Sequence, residues 1–283
     1  MRVSPRELRA VRAGGLLTRY ALLGEAAFLI VEVPTTGSAG TSMEDPCRRE
    51  HWGLVLKGEL LLHGRRERAF GAGTAFYIAP GRTHRLTATP SAVIAGFAPV
   101  AQPVDDSPEG LRSRGIEVVR NFAAPALPSA EVRVAGTRAR SAVTGHVQTV
   151  SALMGRWLFT RSTFGPIGGF GDGWCDLPHW GQVLDGTLVL RWESGEIELL
   201  DAGDVFSCPR DAGGHRIEVA DTATIIDYTP VAAVRDPGLR RAPRAVSALR
   251  AIVAEGDHGD GDGAEADEAD GDPPSAEDLQ EVG

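Results

Sequence analysis

The sequence predicts an all-β chain made of two copies of one antiparallel barrel, a duplicated jelly roll with short helical additions and a disordered acidic C-terminal tail. Three observations carry that prediction. The chain writes one stretch twice, as Asp45-Pro-Cys-Arg-Arg-Glu-His-Trp-Gly-Leu-Val-Leu-Lys-Gly58 and Gly173-Trp-Cys-Asp-Leu-Pro-His-Trp-Gly-Gln-Val-Leu-Asp-Gly186. Both copies reduce to Cys-x3-His-Trp-Gly-x-Val-Leu-x-Gly. Further landmarks then recur in the same order: Gly73 with Gly203, Pro80 with Pro209, His84 with His215, and Phe97-Ala-Pro-Val with Tyr228-Thr-Pro-Val. Around these landmarks, short apolar and β-branched runs alternate with turn residues at near-regular spacing.

Taken in order, Ser4-Pro5-Arg6-Glu7 reads as a helix start, with Ser as cap and Pro at the first helical position, and Gly14-Gly15 as its end. Residues 27–33 form a strand that stops at Pro34, and a Thr, Gly and Ser loop follows to Ser42. Residues 54–56, 60–62, 75–78, 85–88 and 92–97 are short strands, parted by Lys57-Gly58-Glu59, a polar turn at 64–68, Gly71-Ala-Gly73 and Pro80-Gly81. A connector broken by Pro103, Pro108, Pro125 and Pro128 holds two edge-strand candidates, 116–119 and 131–134. Residues 150–154 and 156–160 open the second copy. The expected units are an N-terminal barrel at 1–110, a connector at 111–145 and a C-terminal barrel at 146–235. After them, 236–254 leaves room for one helix over 245–253, and the tail occupies 255–283.

Composition narrows the function classes. The formal net charge is -9, but residues 255–281 carry twelve acidic side chains and no Lys or Arg; without their contribution the rest of the chain stands at +3. That tail lacks the apolar area to offset the entropy of ordering. Lys57 is the only lysine, and the arginines are spread along the chain, a skew that suits a GC-rich bacterial coding sequence better than a phosphate-binding surface. No basic cluster interleaves with aromatics, which argues against nucleic acid. No apolar run reaches membrane-spanning length, and the start has no signal-peptide pattern, so a cytoplasmic protein with no membrane partner is expected. Three cysteines, two of them in the repeated motif, point away from a disulfide framework and toward ligation or reactivity.

Cys47 and His51 in the first copy, and Cys175 and His179 in the second, pair a thiolate with an imidazole at one spacing, and His84 and His215 close each copy. In an extended strand Cys and His four apart would lie ~13 Å from each other. One ion can join them only if the chain turns between them, and Arg48-Arg49-Glu50 and Asp176-Leu177-Pro178 are the candidate turns. Cys, His and His then give three ligands with a fourth position for water or substrate, the composition of an open zinc site, with iron as the alternative. The other reading makes the cysteine a small buried hydrophobe and the histidines hydrogen-bonded core residues. Trp52 and Trp180 read as core or barrel-mouth packing. Cys208, for which Ala79 stands in the first copy, reads as structural. Asp45, Tyr77, Phe170, Asp172 and Trp174 are candidate pocket residues, and Glu50 and Asp176 are further acid/base candidates.

These landmarks resemble the cupin superfamily, and the whole is similar to a bicupin. The first family motif, Gly-x5-His-x-His-x3,4-Glu-x6-Gly, anchored on Gly58, puts His51 in the place of the family glutamate, Cys47 in that of the second histidine and Asp45 in that of the first. The corresponding residues of the second half are His179, Cys175 and Gly173. The second motif, Gly-x5-Pro-x-Gly-x2-His-x3-Asn, is matched by Gly73-x6-Pro80-Gly-x-x-His84 and more loosely by Gly203-x5-Pro209-x5-His215. The resemblance covers roughly 31–100 and 156–231, and implies that the motif residues lie on adjacent strands, with His84 and His215 on a third. It leads to the expectation of a metal-binding bicupin, zinc or alternatively iron, that binds or acts on a small molecule in a barrel mouth. The alternative is a non-catalytic metal- or ligand-sensing cupin protein. A monomer or a homodimer is expected, the two halves being able to satisfy each other's sheet faces.

Overall fold

The computed structural model describes residues 2–3, 8–13, 16–23, 26–35, 50–64, 67–79, 84–99, 117–119, 133–134, 140–144, 146–170, 173–236 and 253–254. The described chain is mostly β, in antiparallel sheets. In the first half, β1 (Arg2–Val3), β2 (Arg9–Ala13), β3 (Leu16–Leu23) and β4 (Ala26–Glu32) lead to β5 (His51–Lys57) and β6 (Glu59–His63). Next come β7 (Arg68–Gly71), β8 (Thr74–Ile78), β9 (Arg85–Ala88) and β10 (Val93–Pro99). Two short strands, β11 (Glu117–Val119) and β12 (Arg133–Val134), fall in the expected connector. The second half runs through β13 (Arg140–Thr144), β14 (Val147–Met154), β15 (Trp157–Phe164) and the long β16 (His179–Trp192). It ends with β17 (Ile197–Asp201), β18 (Val205–Cys208), β19 (His215–Glu218), β20 (Ala223–Pro230) and a one-turn helix α1 (Val231–Arg235).

The expected helix at the N-terminus is not what forms: residues 9–13 are strand β2, paired on one side with β3 and on the other with β11. Arg-Ala-Val-Arg-Ala has no strong helical stripe, and pairing along the edge of a large sheet overrides a favourable cap sequence. Most of the 245–253 helix and the whole tail lie outside the described residues. Among the described residues, no helix is long and apolar enough to cross a membrane.

The duplication is literal in the strand pairing. The first large sheet runs β11-β2-β3-β4-β10-β5-β8-β12 and the second β1-β18-β16-β20-β15-β14-β13, so β5, β8 and β10 correspond to β16, β18 and β20. Gly73 donates to the Val55 carbonyl at 2.7 Å, and Gly203 donates to the Val183 carbonyl at 2.8 Å. At the end of each motif the chain adopts a left-handed conformation, φ +73° at Gly58 and +76° at Gly186, which glycine takes without the clash a Cβ would bring. The first copy breaks there into β5 and β6, whereas β16 runs on for 14 residues. A small sheet closes each barrel, β7-β6-β9 in the first half and β17 and β19 flanking the distal end of β16 in the second. Two pairings cross the boundaries of the halves: the N-terminal β1 pairs on β18 of the second half, and the connector strand β12 pairs in parallel on the equivalent β8 of the first.

Strand alternation explains the motif. Successive side chains point to opposite faces, so along β5 Val55 enters the first barrel while Trp52, Leu54 and Leu56 face the other half. In the second half Val183 enters the barrel, and Trp180 and Leu184 join Met154, Trp157, Phe159, Ile226 and Tyr228 in the same inter-half core. Trp52 stacks on Trp157 at 4.5 Å between ring centroids, Trp180 meets Trp157 edge-on at 5.5 Å, and Trp180 Nε1 donates to the Leu23 carbonyl at 2.9 Å. The motif tryptophans are therefore core, and they lie between the barrels rather than at a mouth. The glycine after each tryptophan keeps space inside the barrel. A Cβ on Gly181 would stand 2.3 Å from Phe206 Cζ and 2.6 Å from the Ile226 carbonyl oxygen, and one on Gly53 would stand 2.5 Å from the Ala95 oxygen.

One buried ion pair also crosses between the halves. Glu50, 3% exposed, receives Arg156 Nε at 2.9 Å and NH2 at 2.5 Å on Oε2, and Tyr77 OH donates to its Oε1 at 2.9 Å. Burial, then the Glu50 contact, pushes the Tyr77 pKa up to about 12. Removing the guanidinium strands a buried carboxylate, although Arg156 itself is largely exposed. Arg156→Ala is therefore expected to destabilise the protein by about 1–3 kcal/mol. Urea unfolding followed by tryptophan fluorescence, which reports directly on the inter-half stack, would measure this.

Candidate metal centre

The path from Cys175 to His179 is the turn that the spacing demanded. Cys175 forms an isolated antiparallel bridge with His215: Cys175 N donates to the His215 carbonyl at 2.8 Å, and His215 N donates to the Cys175 carbonyl at 3.0 Å. Asp176, Leu177 and Pro178 carry the chain away without strand pairing, and β16 begins at His179. Pro178, which has no N–H to give a ladder, sits just outside the strand. His215 opens β19. Three segments thus deliver three donors, with the ligand atoms of Cys175, His179 and His215 all within 4.8 Å of one another. Both imidazoles are buried and Cys175 is half-buried.

The two rings face each other with Nε2 to Nε2 at 2.6 Å and centroids 4.7 Å apart. Two imidazole nitrogens at that separation require one ring to donate a proton to the other. On the far side of His179, Nδ1 faces Asp227 Oδ1 at 3.5 Å. Burial alone would drive the His179 pKa down, but Cys208 and the Asp227 carboxylate beside it outweigh that effect, and the pKa stands well above the ordinary value. Burial, then the charge on His179, lowers His215 to about 2. The proton therefore belongs to His179, and His215 accepts it as a neutral ring. Burial raises the pKa of the Cys175 thiol. Two inward-facing imidazole nitrogens with a sulfur beside them converge on the place a cation would take. The donor set fits a metal.

In the first half, His51 and His84 meet edge to face with ring centroids 5.3 Å apart, and His84 is buried. Cys47 and Asp45 lie outside the described residues, as does Asp172. The halves differ behind the site. Phe97 and Tyr228 occupy equivalent places on β10 and β20, so Gly96 stands where the second half has Asp227.

The remaining pocket candidates have other partners. Tyr77 and Glu50 are engaged with Arg156 between the halves. Phe170 packs on the second-half core, edge-on to Phe164 at 5.1 Å. Trp174, next to Cys175, lies under the Arg216 guanidinium at 5.2 Å. Asp176 lies in the turn close to Gly214, where its Oδ1 would be 3.3 Å from a Cβ. Two residues beside His179 escaped the sequence reading. Asp227 is the sole charged residue in the buried strand Ala-Thr-Ile-Ile-Asp-Tyr-Thr, and such a carboxylate needs a partner, which was the available signal. Cys208 pairs in register with His179. Its first-half counterpart in that register is Ile78 opposite His51, not Ala79.

No protein-family model and no curated protein matches the sequence. Solved structures do. Oxalate decarboxylase of Bacillus subtilis, known from a study of its Mn(II) centres, superposes with a TM-score of 0.57 at 13% identity, covering 86% of this chain and 79% of that one. A tryptophan-to-tyrosine variant of the same enzyme gives 0.58 at the same identity and coverage. AerE from Microcystis aeruginosa gives 0.55 at 10% identity over 79% of this chain and 98% of its own. Oxalate decarboxylase is a bicupin, and the likeness extends through both halves. The fold is a bicupin. At these identities the likeness speaks to the fold, while the second-half donor triad comes from this chain's own residues.

Two outcomes are expected of the second-half centre. The ion needs an unprotonated His179 and a Cys175 thiolate, so metal affinity should fall as pH falls and binding should release about two protons per ion. Calorimetric titration in buffers of differing ionisation enthalpy measures that number. Asp227→Asn keeps the side chain's size but removes the charge behind His179, and should weaken second-half metal affinity by about 10- to 100-fold in a chelator competition.

Proposed function

We propose that this bicupin is a metal-dependent protein that binds a small molecule at the second-half centre and acts on it there. The observation that carries the reading is the convergence of Cys175, His179 and His215 within 4.8 Å, with the two imidazole Nε2 atoms turned toward one another. Those residues would hold the ion, and Asp227 would orient His179. A bound divalent ion would supply Lewis acidity toward a carbonyl or carboxylate oxygen, or an activated water. Zinc is the first choice because a thiolate among the donors favours it over harder ions, with iron as the alternative. Manganese enters through the Mn(II) centres of the structurally similar oxalate decarboxylase. For the same reason short carboxylic acids such as oxalate head the compounds to screen.

The test is metal content in the full chain, purified without added metal or a histidine tag, for the wild type and for Cys47→Ala and Cys175→Ala. The reading predicts that Cys175→Ala loses about one equivalent of metal per chain, the occupancy of a single three-ligand site. A parallel loss in Cys47→Ala would establish a second centre built from Cys47, His51 and His84. A wild-type protein that carries no metal and takes none up on reconstitution would contradict the reading.

A further inference from the structure

We propose that Cys208 is a fourth donor to the second-half ion, so that the resting centre is a closed Cys2His2 shell. The proposal rests on the metal-centre reading above and adds to it a ligand from a different strand. Cys208 ends β18, where it stands directly opposite His179 in the antiparallel register. Residues opposite one another share a face of the sheet, with Cβ atoms about 4.5–5.5 Å apart. That face is the barrel interior: Cys208 is 1% exposed and packs among Phe206, Ile217 and the other interior residues of the second half. Two of the chain's three cysteines thus approach one histidine from two segments, Cys175 from the turn before β16 and Cys208 from β18.

Packing alone gives no reason for a sulfur here, since the equivalent place in the first half is filled by Ile78. Cys208 is not one of the three donors already gathered within 4.8 Å. A cysteine has a single heavy-atom side-chain torsion, so the proposal requires rotation about that bond to carry the sulfur to the other three donors. Two thiolates and two imidazoles make the tetrahedral donor set of a closed zinc site, which keeps no position for water. A small molecule would then reach the ion by displacing a ligand, and half-buried Cys175 is the more accessible of the two sulfurs. In the first half isoleucine stands at this position, opposite His51.

The experiment is a Co2+ titration of metal-free full-length protein in a Cys47→Ala background, so that all sulfur-to-cobalt charge transfer comes from Cys175 and Cys208. Absorbance per bound cobalt is compared among the background protein, Cys175→Ala, Cys208→Ala, Cys208→Ser and the double alanine variant, with far-UV circular dichroism as the check on folding. If both sulfurs bind, each single variant, which loses its metal on purification but is loaded here at saturating cobalt, retains about half the band, and the double variant none. The serine variant, close to cysteine in volume, covers the case in which alanine leaves a cavity that unfolds the strand. A background band that disappears in Cys175→Ala and is unchanged in both Cys208 variants would overturn the proposal while leaving the three-ligand centre standing. Absence of cobalt uptake by the background protein would overturn the centre itself, and the proposal with it.

Discussion

The structure depends on the face-to-face contact of its two large sheets through a shared aromatic core. Trp52, Trp157, Trp180 and Tyr228 lie between the barrels, with Phe28, Phe97 and Phe159 around them. The central strands β5 and β16 are thereby buried on both faces, one lining its own barrel and the other meeting its twin. This fixes the phase of β5 and β16. With a side-chain period of two, putting Trp180 into the contact sends His179 and Gly181 the opposite way, toward the barrel interior. A one-residue slip would bury the imidazole between the halves and turn the indole inward. The motif His-Trp-Gly is thus one constraint read three times: a ligand candidate inside, an anchor outside, and an absent side chain that makes space for Phe206 beside the ligand.

The duplication has not kept the halves chemically equal. Behind His179 the second half places a buried carboxylate, and behind His51 the equivalent strand carries Gly96. In place of Asp176-Leu177-Pro178 the first half has Arg48-Arg49-Glu50, and Glu50 is drawn into the contact with Arg156 and Tyr77. In the first copy Glu50, the residue before the motif histidine, helps hold the halves together, while in the second the turn before His179 shapes a donor cluster. The buried proton between His179 and His215 follows from that asymmetry. Cys208 and then the carboxylate favour charge on one ring, and the second ring, equally enclosed, accepts.

Much of this was legible in the sequence because glycine, histidine and tryptophan carry positional meaning. The two copies of Cys-x3-His-Trp-Gly, and the glycines at 58, 73, 186 and 203, mark strand ends and close approaches that few other residues tolerate, so the barrel pair could be read from them. The triad of the second half followed from the same spacing once a turn at Pro178 was required. The first strands were harder: Ser4-Pro5 resembles a helix cap, and it is pairing with β3, next in the chain, and with the distant β11 that makes 9–13 a strand. Asp227 and Cys208 come close to His179 through strand register across 29 to 48 residues of chain, which a local motif does not encode. The roles of Trp52, Glu50 and Tyr77 were hidden for a similar reason, since each partner lies in the other half.

The central claim is that the gap between the His179 and His215 Nε2 atoms, beside Cys175, is a cation site. The most direct measurement is an anomalous difference map from crystals of the full chain grown with zinc, recorded on both sides of the zinc absorption edge. A peak within bonding distance of both Nε2 atoms and the Cys175 sulfur, with the rings moved apart from their proton-sharing contact, is the predicted result. Two imidazoles still sharing a proton in the presence of excess zinc, with no peak between them, would contradict the account.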